Sequence, residues 1–250
     1  FGALSPFCSC GVVPLVASLL VVGVPLPAVM AFWVSSPLMD PEQFVLMAAT
    51  LGLGFTLAKT AAAMAMGLLA GLATLTAQRL GGFGDPLRAG LARGCGAATA
   101  GPAELRWAVW RDGPRRRVFA HEALRVAEFL AKWLLLAFAL ESLMVAWLPP
   151  GLIAEHLGAA GWQAIPLSVA LGVPAYLNGF AAIPLIGELM NMGMMPGAAL
   201  AFLTAGAVTS IPAAMAVYAL VKPPVFLWYL AIALAGSLAS GFAYQAAQML

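Results

Sequence analysis

Apolar residues run along this chain in stretches far longer than a soluble core needs, and polar positions are few between them. Leu189 to Val221 and Pro223 to Leu250 carry no charge, and Phe44 to Ala77 carries only Lys59. A helix that crosses a bilayer needs about 20 apolar residues, so each run is long enough to cross at least once. Polar and apolar positions do not alternate with period 2, which argues against a barrel of membrane strands. The pattern predicts an all-α, polytopic membrane protein.

Prolines and glycines cut these runs where a plain spanning helix would have none. Pro6, Pro14, Pro25, Pro27, Pro37 and Pro41 divide the first forty residues into short pieces, because an interior proline removes a backbone bond and clashes with the preceding turn. Short, broken or re-entrant helices are therefore expected, buried in protein or lining a watery cavity, where such breaks are tolerated at membrane depth. As one helix, Phe44 to Ala77 would be about 50 Å long. It either tilts and protrudes or bends near Gly52 and Gly54. A further span is expected from about Arg125 to Leu148, stopped by Pro149, Pro150 and Gly151.

The breaks recur. Shifted by 170 positions, "CSCGVVPLVASLLVVGVPLPAVMAF" at 8–32 falls on "NGFAAIPLIGELMNMGMMPGAALAF" at 178–202. Pro14 then meets Pro184, Gly23 meets Gly193, and Ala31-Phe32 meets Ala201-Phe202. Interrupted apolar segments at corresponding places in two halves point to a transporter's binding site at the repeat interface. The organisation expected is a first repeat over 1–78, a basic loop over 79–122 and a second repeat over 123–250. The two repeats are expected to be inverted. Because the chain opens on Phe1 and enters an apolar segment at once, an N-terminal part holding further spans is expected to precede it.

Composition narrows the function classes. Hydrophobic residues make up 63% of the 250 and charged residues 9%, against about a quarter charged in soluble domains. Eight of the twelve basic residues lie between Arg79 and Arg117 with three acids, so this loop is expected on the cytoplasmic side, in a bacterial inner membrane. A basic loop also suits nucleic acid, but beside so much spanning sequence the topological reading is preferred, and no nucleic-acid partner is expected. No G-x-x-x-x-G-K-[ST] phosphate loop occurs. Histidine is limited to His121 and His156, so multi-histidine metal chemistry, a cofactor or an enzyme activity is not expected.

The residues at the breaks resemble a known family. "PFCSCGVVPL" with "GVPLPAVMAFWVSSPLMDP", and later "GVPAYLNGFAAIPL" with "MMPGAALAFLTAGAVTSIP", are similar to the two signature repeats of the predicted-permease family that includes the organoarsenical efflux permeases. The resemblance covers both halves and leaves the central loop unmatched. It implies a polytopic inner-membrane permease. For the best-known branch it also implies export of trivalent organoarsenicals, with cysteine thiols as soft ligands.

Candidate site chemistry follows. Cys8 and Cys10 offer two sulfurs, which favour soft metals and metalloids over hard ions. Residues i and i+2 point to nearly opposite sides of a regular helix or strand, so both thiols reach one ligand only if Pro6, Gly11 and Pro14 make the backbone irregular. The alternative is that both are small apolar packing residues, and Cys95 in the loop reads as incidental. In the second repeat Asn178 takes the place of Cys8 and Phe180 that of Cys10, an amide and an aromatic wall; interhelical glue is the other reading of Asn178. Ser35, Ser36, Thr204, Thr209 and Ser210 sit at the second pair of breaks, where they line a pathway or bond back to their own helices. Ionisable groups inside a membrane are functional by default, which makes Glu188, Glu141 and Lys59 the proton-coupling candidates. A Lys59–carboxylate pair is the structural alternative. Met190, Met192, Met194 and Met195 read as flexible filler before a copper site. The expected substrate is a small soft thiophile such as a trivalent organoarsenical. Rival readings are a permease for a sulfur metabolite or metal ion, and a membrane thiol oxidoreductase that cycles Cys8 and Cys10.

Overall fold

The computed structural model describes residues 23–82, 161–175, 179–209 and 221–249, with isolated positions between 12 and 20, between 117 and 142, and at 218. Among these the secondary structure is helical and no strand occurs. The first labelled helix, α1, spans Leu26–Ser35. Pro27 stands in its opening turn, where a missing N–H removes no helical bond. Ahead of it Gly23, at φ 92°, closes the preceding segment: its N–H donates to Leu20 O at 3.2 Å and the Val24 N–H to Leu19 O at 3.0 Å. That bond pair is a Schellman turn, and its left-handed residue favours glycine. Pro37 ends α1, and a single 3-10 turn, Ser36–Leu38, follows.

Helix α2 spans Pro41–Thr50 and is capped by Asp40, whose carboxylate accepts from the Gln43 N–H at 2.7 Å. It stops at Gly52, φ 90°, and α3 then runs over Leu53–Arg79. Of the two expectations for this long run, the bend at Gly52 is the one observed. At 1.5 Å per residue the 27 residues of α3 reach about 40 Å, enough to cross a hydrocarbon core of about 30 Å.

After the central segment come α4 (Ala164–Ala175), α5 (Gly179–Asn191), α6 (Pro196–Val208) and α7 (Pro223–Ala247). Gly193, φ 103°, separates α5 from α6 with the bonds seen at Gly23: Gly193 N–H to Met190 O at 3.1 Å and Met194 N–H to Leu189 O at 2.9 Å. Helix α6 is buried on every side from Gly197 to Gly206, as expected for a helix that is apolar all round. It packs against α3, α4, α5, α7 and the 3-10 turn. The Gly197 N–H in its first turn, which has no partner within the helix, donates to Gln245 Oε1 of α7 at 3.0 Å. Among the described residues, α3 and α7 are the two helices long and apolar enough to cross a membrane.

Small residues let the helix backbones touch. A Cβ added at Gly71 of α3 would lie 3.1 Å from Ala31 Cβ and 3.2 Å from Pro27 O of α1; one added at Gly241 of α7 would lie 2.8 Å from both Ala201 Cβ and Gly197 O of α6. In a membrane, where lipid removes the hydrophobic advantage of association, such close van der Waals packing holds helices together. The two long helices run antiparallel. Phe55, near the start of α3, meets Tyr244, near the end of α7, edge to face at 5.7 Å. Trp228 Nε1, near the start of α7, donates to Thr74 Oγ1, near the end of α3, at 3.2 Å. Between these contacts Met66 lies over Gly236.

Substituting Gly241→Val should destabilise the protein by about 1–3 kcal/mol, the usual cost of overpacking. Gly54→Ala, with open space around its Cβ, should stay within about 0.5 kcal/mol of the parent. Thermal unfolding in detergent micelles, followed by tryptophan fluorescence, checks both.

Candidate functional site

Cys8, Cys10, Glu141 and Asn178 lie outside the described residues, as do Cys95 and Ser210. Phe180 belongs to the first turn of α5. Thr204 and Thr209 are buried and bond back within their own helical stretch, to Leu200 O at 2.8 Å and Ala205 O at 2.6 Å. Ser35 does the same to Ala31 O at 2.9 Å. Ser36 is buried at the 3-10 turn, which packs against α6, so the break after α1 adjoins the central helix. Glu188 is on the exposed face of α5, opposite the buried Ile183, Ile186 and Leu189. Met192 is exposed while Met194 is buried, so these two thioethers do not share one environment. Among the described residues no group of three or more His, Cys, Asp or Glu side chains gathers.

Lys59 is the ionisable group that the fold draws inward. It sits on α3, 1% exposed, and its Nζ donates to Gln43 Oε1 at 2.9 Å and to Met47 Sδ at 3.5 Å. Gln43 and Met47 lie one turn apart on α2, so they share a face, and the bend at Gly52 folds that face onto α3. No carboxylate among the described residues comes within ion-pair distance; the partner of this lysine is an amide. Asp40, which caps α2 through the Gln43 N–H, acts on the amine as a nearby counter-charge without a direct ion pair.

Beside the amine is a small cavity lined by Gln43, Lys59, Gly172, Ala182, Phe202 and Gly206, with further contributions from Leu203 and Ala207. It joins α2 and α3 to α4, α5 and α6. About 10 Å³ of it is open to the centre of a water molecule, roughly what one bound water requires. Its far wall is close backbone: a Cβ at Gly172 would lie 2.9 Å from Phe202 O, and one at Gly206 would lie 3.1 Å from Gly172 O. The sequence reading missed Gln43 and Met47. A signal existed, since a buried lysine needs a polar partner and Gln43 and Gln78 are the two amide side chains between residues 23 and 82.

The model of the predicted-permease family matches residues 1–246. The chain belongs to that family. A curated relative of this permease, UPF0718 protein MJ0584 of Methanocaldococcus jannaschii, is 25% identical over 134 residues, covering 54% of this chain and 37% of the relative. The chain thus spans well under half the length of the curated relative it matches. No solved structure matches it. Family membership and the apolar helices make this a membrane protein of the predicted-permease type.

The buried amine sets an expectation for stability in this permease. Gln43→Leu strands Lys59 without its amide partner and should cost about 1.5–3 kcal/mol, the range for hydrogen bonds to charged groups. Adding Lys59→Met to that variant should recover most of the loss, because a buried polar pair replaced by apolar residues of similar volume is often neutral. A double-mutant cycle on melting midpoints measures the coupling.

Proposed function

We propose that this permease is a multi-pass secondary carrier of a bacterial inner membrane, built from two inverted halves, that exports a small soft thiophile, most specifically a trivalent organoarsenical. The observation that carries the architecture is the pairing of α3 with α7. Shifted by 170, the start of α1 at Leu26 falls on the start of α6 at Pro196, and the start of α3 at Leu53 falls on that of α7 at Pro223. The Schellman turns at Gly23 and Gly193 keep the same spacing, and so do the close approaches of Gly71 to Ala31 and of Gly241 to Ala201.

Met66 and Gly236, which touch where the two long helices cross, are themselves 170 apart. Two equivalent helices that run antiparallel through equivalent residues are related by a two-fold axis perpendicular to both. If the helices cross the bilayer, that axis lies in the membrane plane, the arrangement of an inverted repeat, in which a site between the halves opens alternately to each side. Basic loop 79–122 then lies in the cytoplasm by the positive-inside rule.

For the cargo, the support is chemical. Cys8 and Cys10 stand at the first break, with Asn178 and Phe180 at the corresponding place in the second half, and soft sulfur donors select thiophiles. Ser36 and Thr209, at the second pair of breaks, complete the polar wall of the pathway. Proton exchange drives export, with Glu188 the first candidate to carry the proton and Glu141 and Lys59 the others. A permease for a sulfur metabolite or a metal ion keeps the same architecture, and competition by those solutes in the vesicle assay below separates them. The thiol oxidoreductase reading requires activated, accessible thiolates, and no basic residue neighbours Cys8 or Cys10 in sequence.

Everted vesicles should take up trivalent phenylarsenite, and Cys8→Ser or Cys10→Ser should each lower uptake by roughly tenfold or more, as expected when one of two soft ligands becomes hard. Unchanged uptake in both variants removes thiol ligation from the mechanism. The inverted arrangement is tested separately in a background without native cysteines. A membrane-impermeant maleimide should label Leu80→Cys, just past α3, from the cytoplasmic face, and Met249→Cys, just past α7, from the opposite face. Labelling of both from one side would make the halves parallel.

A further inference from the structure

The two halves bury different groups at one pair of equivalent positions. On the two-halves reading, Lys59 of α3 corresponds to Tyr229 of α7, and Trp33 of α1 corresponds to Leu203 of α6. Tyr229 is 1% exposed, stacks on Trp33 with ring centroids 5.0 Å apart, and donates its hydroxyl to Val208 O. At the equivalent place in the other half, Lys59 and Leu203 line the small cavity beside the amine, whose 10 Å³ or so admits one water.

We propose that Lys59, and not Glu188, carries the proton exchanged for substrate, and that it gives and takes this proton through a single water held in the cavity. The proposal rests on the carrier reading above and names the coupling residue within it. The amine is 1% exposed. Lys has three donor positions, and two of them go to Gln43 Oε1 at 2.9 Å and Met47 Sδ at 3.5 Å. The third is left for the water. In the ammonium that position holds an N–H; in the neutral amine it holds the lone pair. Lys59 therefore loses a proton without giving up either bond to α2. One N–H bond breaks, its electron pair stays on nitrogen, and the proton forms an O–H bond on the water, which passes it on to solvent. Uptake is the reverse step.

The surroundings of the amine suit a group that changes its charge. Burial penalises the ammonium, while the Asp40 carboxylate favours it as a counter-charge that does not touch it. Gln43 links the two: its backbone N–H donates to Asp40, and its side-chain oxygen accepts from Lys59. The cap bond holds the carboxylate in place whichever state the amine is in. Helices α1, α4 and α6 carry no ionisable side chain. The remaining ionisable groups on the elements around the amine are Glu42, exposed on α2, Glu188, exposed on α5, and Tyr229 and Tyr244 on α7, the first bonded to Val208 O and the second against Phe55. The water lies where α2 and α3 of one half meet α4, α5 and α6 of the other. A change in how the halves meet there changes the side to which the water, and with it the proton, is open. Glu188 lies opposite the α5 residues that pack inward.

Two measurements on the full chain test this. The sequence holds three lysines, Lys59, Lys132 and Lys222, so carbon-13 labelling of lysine in detergent micelles gives three side-chain resonances, with Lys59 assigned from Lys59→Arg. Across the pH range in which the chain stays folded, Lys59 should pass from charged to neutral. Asp40→Asn, which keeps a good helix cap and removes the counter-charge, should shift the midpoint of that change, and Glu42→Gln should leave it in place. A Lys59 that stays charged throughout overturns the proposal, whatever the substrate. In proteoliposomes with a pH dye inside, a phenylarsenite gradient should drive proton movement by the parent. Lys59→Met and Lys59→Arg should each lower the protons moved per phenylarsenite by about tenfold or more, as expected when a proton-transfer group is lost. Phenylarsenite counterflow, which moves no net proton, reports whether a variant still folds and binds; where Lys59→Met does not, Lys59→Met/Gln43→Leu, in which the amide is no longer stranded, takes its place. Counterflow with parental proton movement in these variants overturns the proposal. The two ideas fail separately: a titrating Lys59 in a parent without counterflow removes the arsenical cargo and leaves the proton site, and counterflow by a parent whose Lys59 stays charged does the reverse.

Discussion

In hydrocarbon a backbone N–H or C=O with no partner costs several kcal/mol, and a chain can leave the helix only where something other than lipid receives those groups. The breaks in this permease follow that constraint. At Gly23 and Gly193 the turn closes on itself with two main-chain bonds each. At Asp40 a carboxylate receives the Gln43 N–H, and at the start of α6 the donor Gly197 is received by Gln245 from another helix. The hydroxyls of Ser35, Thr204 and Thr209 lie back on their own carbonyls near helix ends. Each of these interruptions is thus paired off locally or by a neighbouring helix.

Close approach follows from the same economy of surface. Lipid chains are as apolar as leucine, so helices gain from touching one another only where packing is tighter than packing against lipid. Glycine at 71 and 241 supplies that contact by letting a backbone oxygen and an alanine methyl sit where a side chain would be. The antiparallel pairing of α3 and α7 has aromatic or polar contacts at its two ends, Phe55 with Tyr244 and Thr74 with Trp228. At its midpoint it narrows to Met66 against Gly236. Bulk at the ends and a glycine at the crossing are what an antiparallel pair needs if it is to cross at close range.

Much of this was legible in the sequence because the relevant signals are local. Charge-free runs gave the membrane class, and coincident glycines at 23 and 193 marked two turns whose bonds are the same. The long run from Phe44 offered two outcomes, and the left-handed Gly52 decided between them. What could not be read was which side chains meet. For Lys59 a carboxylate pair stood beside proton coupling as the structural alternative, and its direct partners are Gln43 and Met47, because the orientation of α2 after the Gly52 bend brings that face over α3. Glu188, one turn past the second break in sequence, stands on the exposed face of α5, whose Ala182 lines the cavity. Periodicity places a residue on a face, but tertiary packing decides what that face meets.

An inverted pair of halves with identical interiors would have no reason to hold a ligand at one place and not at its image. On the proposed two-fold relation, the permease departs from symmetry at the positions where polar groups are buried deepest. One half encloses a phenol stacked on an indole and bonded to a main-chain oxygen. The other encloses an ammonium bonded to an amide and a thioether, with the Asp40 carboxylate as its nearby counter-charge, beside a small open space. The backbone can follow the proposed two-fold relation while the side chains make the interior chemically one-sided.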